Sequence, residues 1–326
     1  MESRRLGTRG PLVSTIGLGC NNLGRAGTRT ATLDGVRAVI DAAIGAGVTL
    51  FDTADIYGAE FGLSETLLGQ ALAGREGELV IASKFGHAQF APALAGDSAP
   101  GSRSYLRAAV EGSLTRLGIE RIDLYQQHTP DPSTPIEETI AALDELVTEG
   151  KIAAFGHSNF DATQIRAAAD AATRLGVAPF VSAQNEYNLL AREVEREVLP
   201  ASEDVGIGFL PFFPLANGLF TGKFTRTERP ADTRISRQRP HIADEAPWDA
   251  IEAFERFAAE REISLLEATF GWFLGRGVVS SVIAGATSPE QIRTNAAAGS
   301  GWRASEAELA EIGALFPLGD AAARGE

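Results

Sequence analysis

Four side chains of types that move protons, Asp52, Tyr57, Lys84 and His128, stand at or just beyond the ends of three short apolar runs in the first half of the chain. A tyrosine hydroxyl has a reference pKa near 10, too high to exchange protons freely at neutral pH. A neighbouring ammonium favours the phenolate and lowers that pKa. A carboxylate beside the ammonium would hold it charged and in place, and a neutral imidazole could donate a hydrogen bond to a carbonyl oxygen. Together these groups would let a carbonyl accept a hydride on one face while Tyr57 supplies the proton. Each residue also has an ordinary structural reading: a capping aspartate, a packed tyrosine, a solvated strand-end lysine, a satisfied histidine. Convergence of all four on one rim favours the chemistry.

Such convergence requires strands whose ends meet. Short β-branched runs alternate with longer segments of helical period, the pattern of a parallel sheet with crossover helices. Strands are expected near Ser14–Cys20, Thr49–Thr53, Leu79–Lys84, Ile122–His128, Ile152–Asn159, Phe180–Gln184, Gly206–Phe212 and Val278–Ala284. Between them, Leu106, Val110, Leu114 and Leu117 share one helical face, as do Ile136, Ile140, Leu143 and Val147. Gly118, Gly150 and Gly176 read as helix stops. Eight such units without a break in composition predict one domain over residues 1–326, an α/β fold of the (β/α)₈ TIM-barrel type. Catalytic groups in that fold sit where strands end and βα loops begin.

Three pieces fall outside the repeat. Residues Ser3–Val13, with a turn at Gly7–Gly10, predict a hairpin closing the lower end of the barrel. Ala216–Pro247 forms a long connection after the seventh strand, and loops of that length are usually functional or disordered. From about Ala304 the chain predicts an extra helix with Leu309, Ile312 and Leu315 on one side.

Composition excludes some partners. A formal net charge of −14 makes phosphate-backbone binding a poor fit, so no nucleic-acid partner is expected. No apolar run reaches the roughly 20 residues a membrane helix needs. The first residues lead into no apolar signal segment, and the lone Cys20 suits a reducing compartment, so a cytoplasmic location is expected. His87, His128, His157 and His241 lack ligand spacing, and no metal is expected. Gly17-Leu-Gly19-Cys-Asn-Asn22 lacks the third glycine of a dinucleotide fingerprint. Cys20 is expected to line the pocket as a small apolar residue.

Several motifs together resemble a known family. Asp52-Thr-Ala-Asp-Ile-Tyr57-Gly, Ser83-Lys84-Phe-Gly, Asp123-Leu-Tyr-Gln-Gln-His128 and Gly156-His-Ser158-Asn159-Phe look like the aldo-keto reductase signatures, in family order and over nearly the whole chain. Within that family the chain resembles bacterial reductases related to potassium-channel β-subunits. The resemblance implies a tetrad of Asp52, Tyr57, Lys84 and His128, with Tyr57 as general acid in reduction and general base in oxidation.

It also implies a nicotinamide cofactor. Ser158, Asn159 and Gln184 match residues that hydrogen-bond the carboxamide. Phe212 stands where the family usually has a stacking tyrosine, and stacking needs only the aromatic face. Leu219, Gly222 and Lys223 match the segment over the pyrophosphate, and Arg234 resembles an arginine that helps close it. Gly285, Thr287, Gln291 and Asn295 match the stretch around the adenosine end. The resemblance implies NADPH, with NADH tolerated because lysine or arginine often occupies the positions of Gly285 and Thr287, and Arg293 is a candidate to compensate. Ser158 and Asn159 also have a capping reading for the helix starting near Asp161, and Arg234 one as a loop charge. Asn21, Asn22, Ile56, Phe85 and His87 are expected to border the pocket, with Phe85 as its apolar wall. Two function classes stay open: a reductase of small aldehydes or ketones, and a slow-turnover cofactor-binding sensor. The physiological substrate and the oligomeric state are not legible.

Overall fold

The computed structural model describes residues 1–75, 79–90, 98–231 and 233–319. A hairpin opens the chain, β1 (Ser3–Arg5) pairing antiparallel with β2 (Leu12–Ser14). Eight parallel strands follow: β3 (Ile16–Gly19), β4 (Leu50–Asp52), β5 (Val80–Phe85), β6 (Ile122–Gln127), β7 (Ile152–Ser158), β8 (Ser182–Glu186), β9 (Gly208–Phe212) and β10 (Val282–Gly285). Each pairs with the next in chain order from β3 to β9, and β10 pairs with β3. Between β9 and β10 the ring closes through a bridge from Phe209 to Val279. There the Phe209 N–H donates to the Val278 carbonyl at 2.8 Å and the Ser280 N–H to the Phe209 carbonyl at 3.0 Å. The expected (β/α)₈ barrel is present, with strand boundaries shifted by a few residues.

Helices flank the ring because each carries one apolar stripe. In Ile136–Thr148, Ile140 and Leu143 are fully buried, and Ile136 and Val147 pack against them part-buried. Arg103–Leu117 buries Leu106, Val110 and Leu117 in the same way. It ends at Gly118 in the left-handed region (φ 66°), where a side chain would be strained. After β9 come a 3₁₀ segment, Ala216–Thr221, and short helices Arg234–Gln238 and His241–Asp244. Helices Trp248–Glu260 and Leu265–Leu274 precede β10, and the expected extra helix is Glu306–Leu315, with Ile312 buried. Among the described residues no helix is long and apolar enough to cross a membrane.

The strands' alternation of faces decides what lies inside the ring. Leu50, Val80, Ala82, Leu124, Val181, Leu210 and Ile283 form an apolar floor, sealed by Leu6 and Val13 of the hairpin. Continuing upward by steps of two, Leu50 leads to Asp52, Ala82 to Lys84, Leu124 to Gln126, and Ser182 to Gln184. All four upper positions are buried and polar. The odd positions, Phe51, Ile81, Phe85 and Tyr125, face the helices and join the main core. This parity corrects one expectation. Phe85 does not wall the mouth of the barrel; it is fully buried and stacked on Tyr125 with ring centroids 4.9 Å apart.

Candidate active site

Asp52 ends β4, Lys84 lies in β5, and Tyr57 sits on the loop just beyond β4. The Lys84 ammonium, wholly buried, donates to Asp52 Oδ2 at 2.6 Å, to the Thr53 carbonyl at 3.0 Å and to the Tyr57 hydroxyl at 3.5 Å. It also lies 5.0 Å from the centroid of the Tyr57 ring. Backbone bonds fix the loop that carries Tyr57: Asp55 N–H donates to the Lys84 carbonyl, and Ser64 N–H to the Tyr57 carbonyl. His128 follows β6 directly, its ring edge-on to Tyr57 at 5.8 Å between centroids. The structure thus brings Asp52, Tyr57, Lys84 and His128 to one rim.

Burial pushes the Tyr57 hydroxyl above the ordinary phenol range, and the Lys84 ammonium pulls against that shift without cancelling it. For Lys84, burial opposes the charge, but Asp52 and Tyr57 outweigh it and raise the ammonium above the usual lysine value. Burial, then the charge of Lys84, holds the His128 imidazole well below its usual pKa. At neutral pH the site therefore presents a neutral phenol, an ammonium and a neutral imidazole.

Two amides hold the other oxygen of Asp52. Gln126 Nε2 donates to Oδ1 at 3.2 Å and Gln184 Nε2 at 3.0 Å, both side chains being buried. Beside them Ser158 Oγ donates to the Gln184 carbonyl at 2.7 Å. Asn159, in the left-handed region at φ 61°, donates from Nδ2 to the His128 carbonyl at 2.9 Å and to Ser158 Oγ at 3.1 Å. The capping role is taken by Asp161, whose carboxylate accepts from Gln164 N–H, so Ser158 and Asn159 are left for the mouth of the barrel. Gln126 was not among the expected site residues. Its signal was available: it lies two positions before His128 and so shares its face of the strand.

Residues 15–316 match the profile of the Aldo/keto reductase family. The chain belongs to the aldo/keto reductase family. It is similar to the probable aldo-keto reductase 1 of Glycine max, 34% identical over 322 residues, covering 98% of this chain and 90% of that protein. A probable voltage-gated potassium channel subunit beta of Oryza sativa subsp. japonica is 32% identical over 297 residues, covering 84% and 89%. The L-glyceraldehyde 3-phosphate reductase of Escherichia coli (strain K12) is 32% identical over 325 residues, covering 96% and 91%. Membership makes this chain an oxidoreductase of carbonyl compounds, and aldo/keto reductases generally use nicotinamide cofactors.

The remaining positions spread around the mouth of this aldo/keto reductase barrel. Phe212 ends β9, edge-on to Phe213 at 5.1 Å. Leu219 is buried in the 3₁₀ segment, followed by Gly222 at φ 75° and the exposed Lys223. Arg234 begins the next short helix, its guanidinium 5.2 Å from the Phe213 ring centroid. Gly285 ends β10, and a Cβ there would meet Asn22 Nδ2 at 3.0 Å. Asn21 and Asn22 therefore border Gly285. Thr287 engages Gln291 Oε1 through both its N–H (2.7 Å) and its hydroxyl (3.1 Å), while Ser288 caps Pro289–Ala298 and Asn295 is buried within that helix. Arg293 lines a surface cleft with Ala38, Asp41 and Gly45 of Leu33–Gly45, which directs it at the neighbouring helix. Ile56 is half-buried just before Tyr57. His87 packs edge-on against His128 at 4.8 Å and carries the exposed Phe90 at 4.9 Å. Phe90 thus reaches this rim through His87, whereas Phe85 does not. Cys20 is buried, with its thiol pushed well above the usual range by burial.

Proposed function

We propose that this chain is an NADPH-dependent reductase of aldehydes and ketones, working as one catalytic domain over residues 1–326, with Tyr57 as general acid. The observation that carries the reading is the chain of contacts from the buried Asp52 through Lys84 to the Tyr57 hydroxyl, with a neutral His128 beside it. Such a chain serves proton transfer: Asp52 holds Lys84 charged, and Lys84 stabilises the phenolate left when Tyr57 gives up its proton. His128 donates a hydrogen bond to the carbonyl oxygen and polarises it without contributing a charge of its own.

The residues at the mouth fit a dinucleotide. Among the described residues the Arg234 Nε and Asn217 Oδ1 atoms find no partner and are buried on the loop after β9, which suits a polar ligand there. The helix capped by Ser288 presents its N-terminal amides to an anion. Reduced nicotinamide, when bound, supplies the hydride. Ser158 and Asn159 would hold its carboxamide, with Gln184 offering Oε1 because its Nε2 serves Asp52. Phe212 would present its ring face. Leu219, Gly222, Lys223 and Arg234 would cover the pyrophosphate, and Gly285, Thr287, Gln291 and Asn295 the adenosine end. Asn21, Asn22, Ile56, His87 and Phe90 would border a small-molecule carbonyl substrate. A cytoplasmic location belongs to the same reading.

Similarity to the rice channel subunit supports a second reading, a slow-turnover cofactor-binding regulatory subunit. The complete tetrad favours catalysis, since a binding module has no need of Lys84 beside Tyr57. Steady oxidation of NADPH by a simple aromatic aldehyde, followed by absorbance, is expected. A single turnover with very slow release would favour the regulatory reading, and no turnover with any of a panel of carbonyls would overturn the first.

A further inference from the structure

Two arginines flank Phe213, and a third, Arg25, lies on a loop that adjoins theirs. Arg25 lies on the loop after β3, while Arg234 and Arg239 begin and follow the short helix Arg234–Gln238 on the loop after β9. The loops adjoin, for a Cβ at Gly27 would meet Arg237 Nη1 at 4.0 Å. The guanidiniums of Arg234 and Arg239 lie 5.2 and 6.0 Å from the centroid of the same Phe213 ring. Among the described residues none of the three makes an ion pair, whereas Arg107, Arg226 and Arg261 each hold two carboxylates. The Glu186 carboxylate feels the charge of Arg239 without pairing with it.

Crowding like charges on a half-buried surface is unfavourable unless something negative offsets it. Here the penalty is visible: burial, then Arg25 and Arg239, holds Arg234 down to about 10, and burial and Arg239 lower Arg25. Among the described residues Arg234 Nε and Asn217 Oδ1 find no partner though buried, and Phe213, Ala216 and Asn217 all sit at positive φ on the loop that carries the cluster. Non-glycine residues in that region persist where surrounding structure enforces them, commonly at ligand clamps. Guanidinium forks match phosphoryl oxygens in shape and charge better than they match a neutral group.

We propose that Arg25, Arg234 and Arg239 form one anion site for a phosphoryl group, which bridges the loop after β3 to the loop after β9. The function proposed above uses Arg234 alone; Arg25 and Arg239 extend it into a two-loop clamp. The phosphoryl group has two possible sources, the diphosphate of the dinucleotide or a phosphate on the carbonyl substrate.

Inorganic pyrophosphate, titrated calorimetrically into the full chain, tests the site without any turnover. Binding is expected to weaken steeply with added salt. Arg25→Gln and Arg239→Gln should each weaken it about tenfold to a hundredfold, the value of one charge-assisted hydrogen bond. Arg37→Gln, on an exposed helix face, should leave it unchanged. No pyrophosphate binding at millimolar concentration, or equal binding by all variants, overturns the proposal. NADPH affinity by fluorescence and kcat/KM for glyceraldehyde 3-phosphate against glyceraldehyde then separate the sources. Weaker NADPH binding in the Arg25 and Arg239 variants assigns the site to the diphosphate. A selective loss for the phosphorylated aldehyde assigns it to the substrate, and movement in neither overturns the clamp. Should the chain reduce no carbonyl at all, the reductase reading fails while the pyrophosphate titration still decides the site.

Discussion

Lys84 and Asp52 form an ion pair at 2.6 Å with side chains almost wholly removed from solvent. A buried pair is stable only when both partners are present, since removing one leaves an uncompensated charge. Lys84→Met should therefore lose about 3–5 kcal/mol of folding stability, measured by urea unfolding. Adding Asp52→Asn should recover much of that loss, because Gln126 and Gln184 can still donate to the amide oxygen. Activity should stay lost in both, and any residual alcohol oxidation should move to higher pH. An unchanged pH–rate profile in Lys84→Met would show that the ammonium does not act on Tyr57.

Tyr57→Phe keeps the ring beside His128 and removes only the hydroxyl. Cofactor binding and folding should be retained, while carbonyl reduction falls by about 10² to 10⁴, the range for a general acid. A loss smaller than tenfold in steady-state rate would remove Tyr57 from the role.

Phe85 and Phe90 should separate cleanly. Phe90→Ala, at an exposed ring packed on His87, should change the ranking of aldehydes by size with little effect on stability. Phe85→Ala should cost about 3–5 kcal/mol through a core cavity and leave the substrate ranking of the folded fraction unaltered. The opposite pattern would restore Phe85 to the pocket.

Two buried groups give stability opposite dependences on pH. Burial lowers His157 to about 3, so the unfolded chain takes up its proton first and this contribution is lost as pH falls below the ordinary histidine range. Burial and the neighbouring Glu65 raise Asp55 to about 7, so between the ordinary aspartate range and that value the folded chain binds the extra proton, and stability is lost as pH rises. Relative to the parent chain, His157→Leu should gain stability on going from pH 7 to 5, and Asp55→Asn on going from 5 to 7. Each slope is bounded by about 1.4 kcal/mol per pH unit. Urea midpoints at the two pH values check both signs.

On the proposed function, cofactor choice rests on the stretch after β10. NADPH should give a higher kcat/KM than NADH at fixed aldehyde. Thr287→Arg, which places a cation where the chain has none, should raise the NADPH to NADH ratio about tenfold to a hundredfold. A parent ratio below one would reverse the assignment.

The eight-strand alternation, the closing hairpin and the order of Asp52, Tyr57, Lys84 and His128 were all legible along the chain. They depend on local period and on motifs of a few residues. Strand parity was legible too, although the chain was read with Phe85 at the pocket: a residue next to the inward Lys84 must face the helices, and Phe85 lies in the core. What tertiary structure alone decided were contacts between distant loops and strands. The two glutamines on Asp52 come from β6 and β8, and the loop of Arg25 adjoins the loop of Arg234 and Arg239 only through the way the ring closes. Loops have no period from which a side chain's direction can be read. Their partners are set by how the ring closes, and ring closure is a property of all eight strands together.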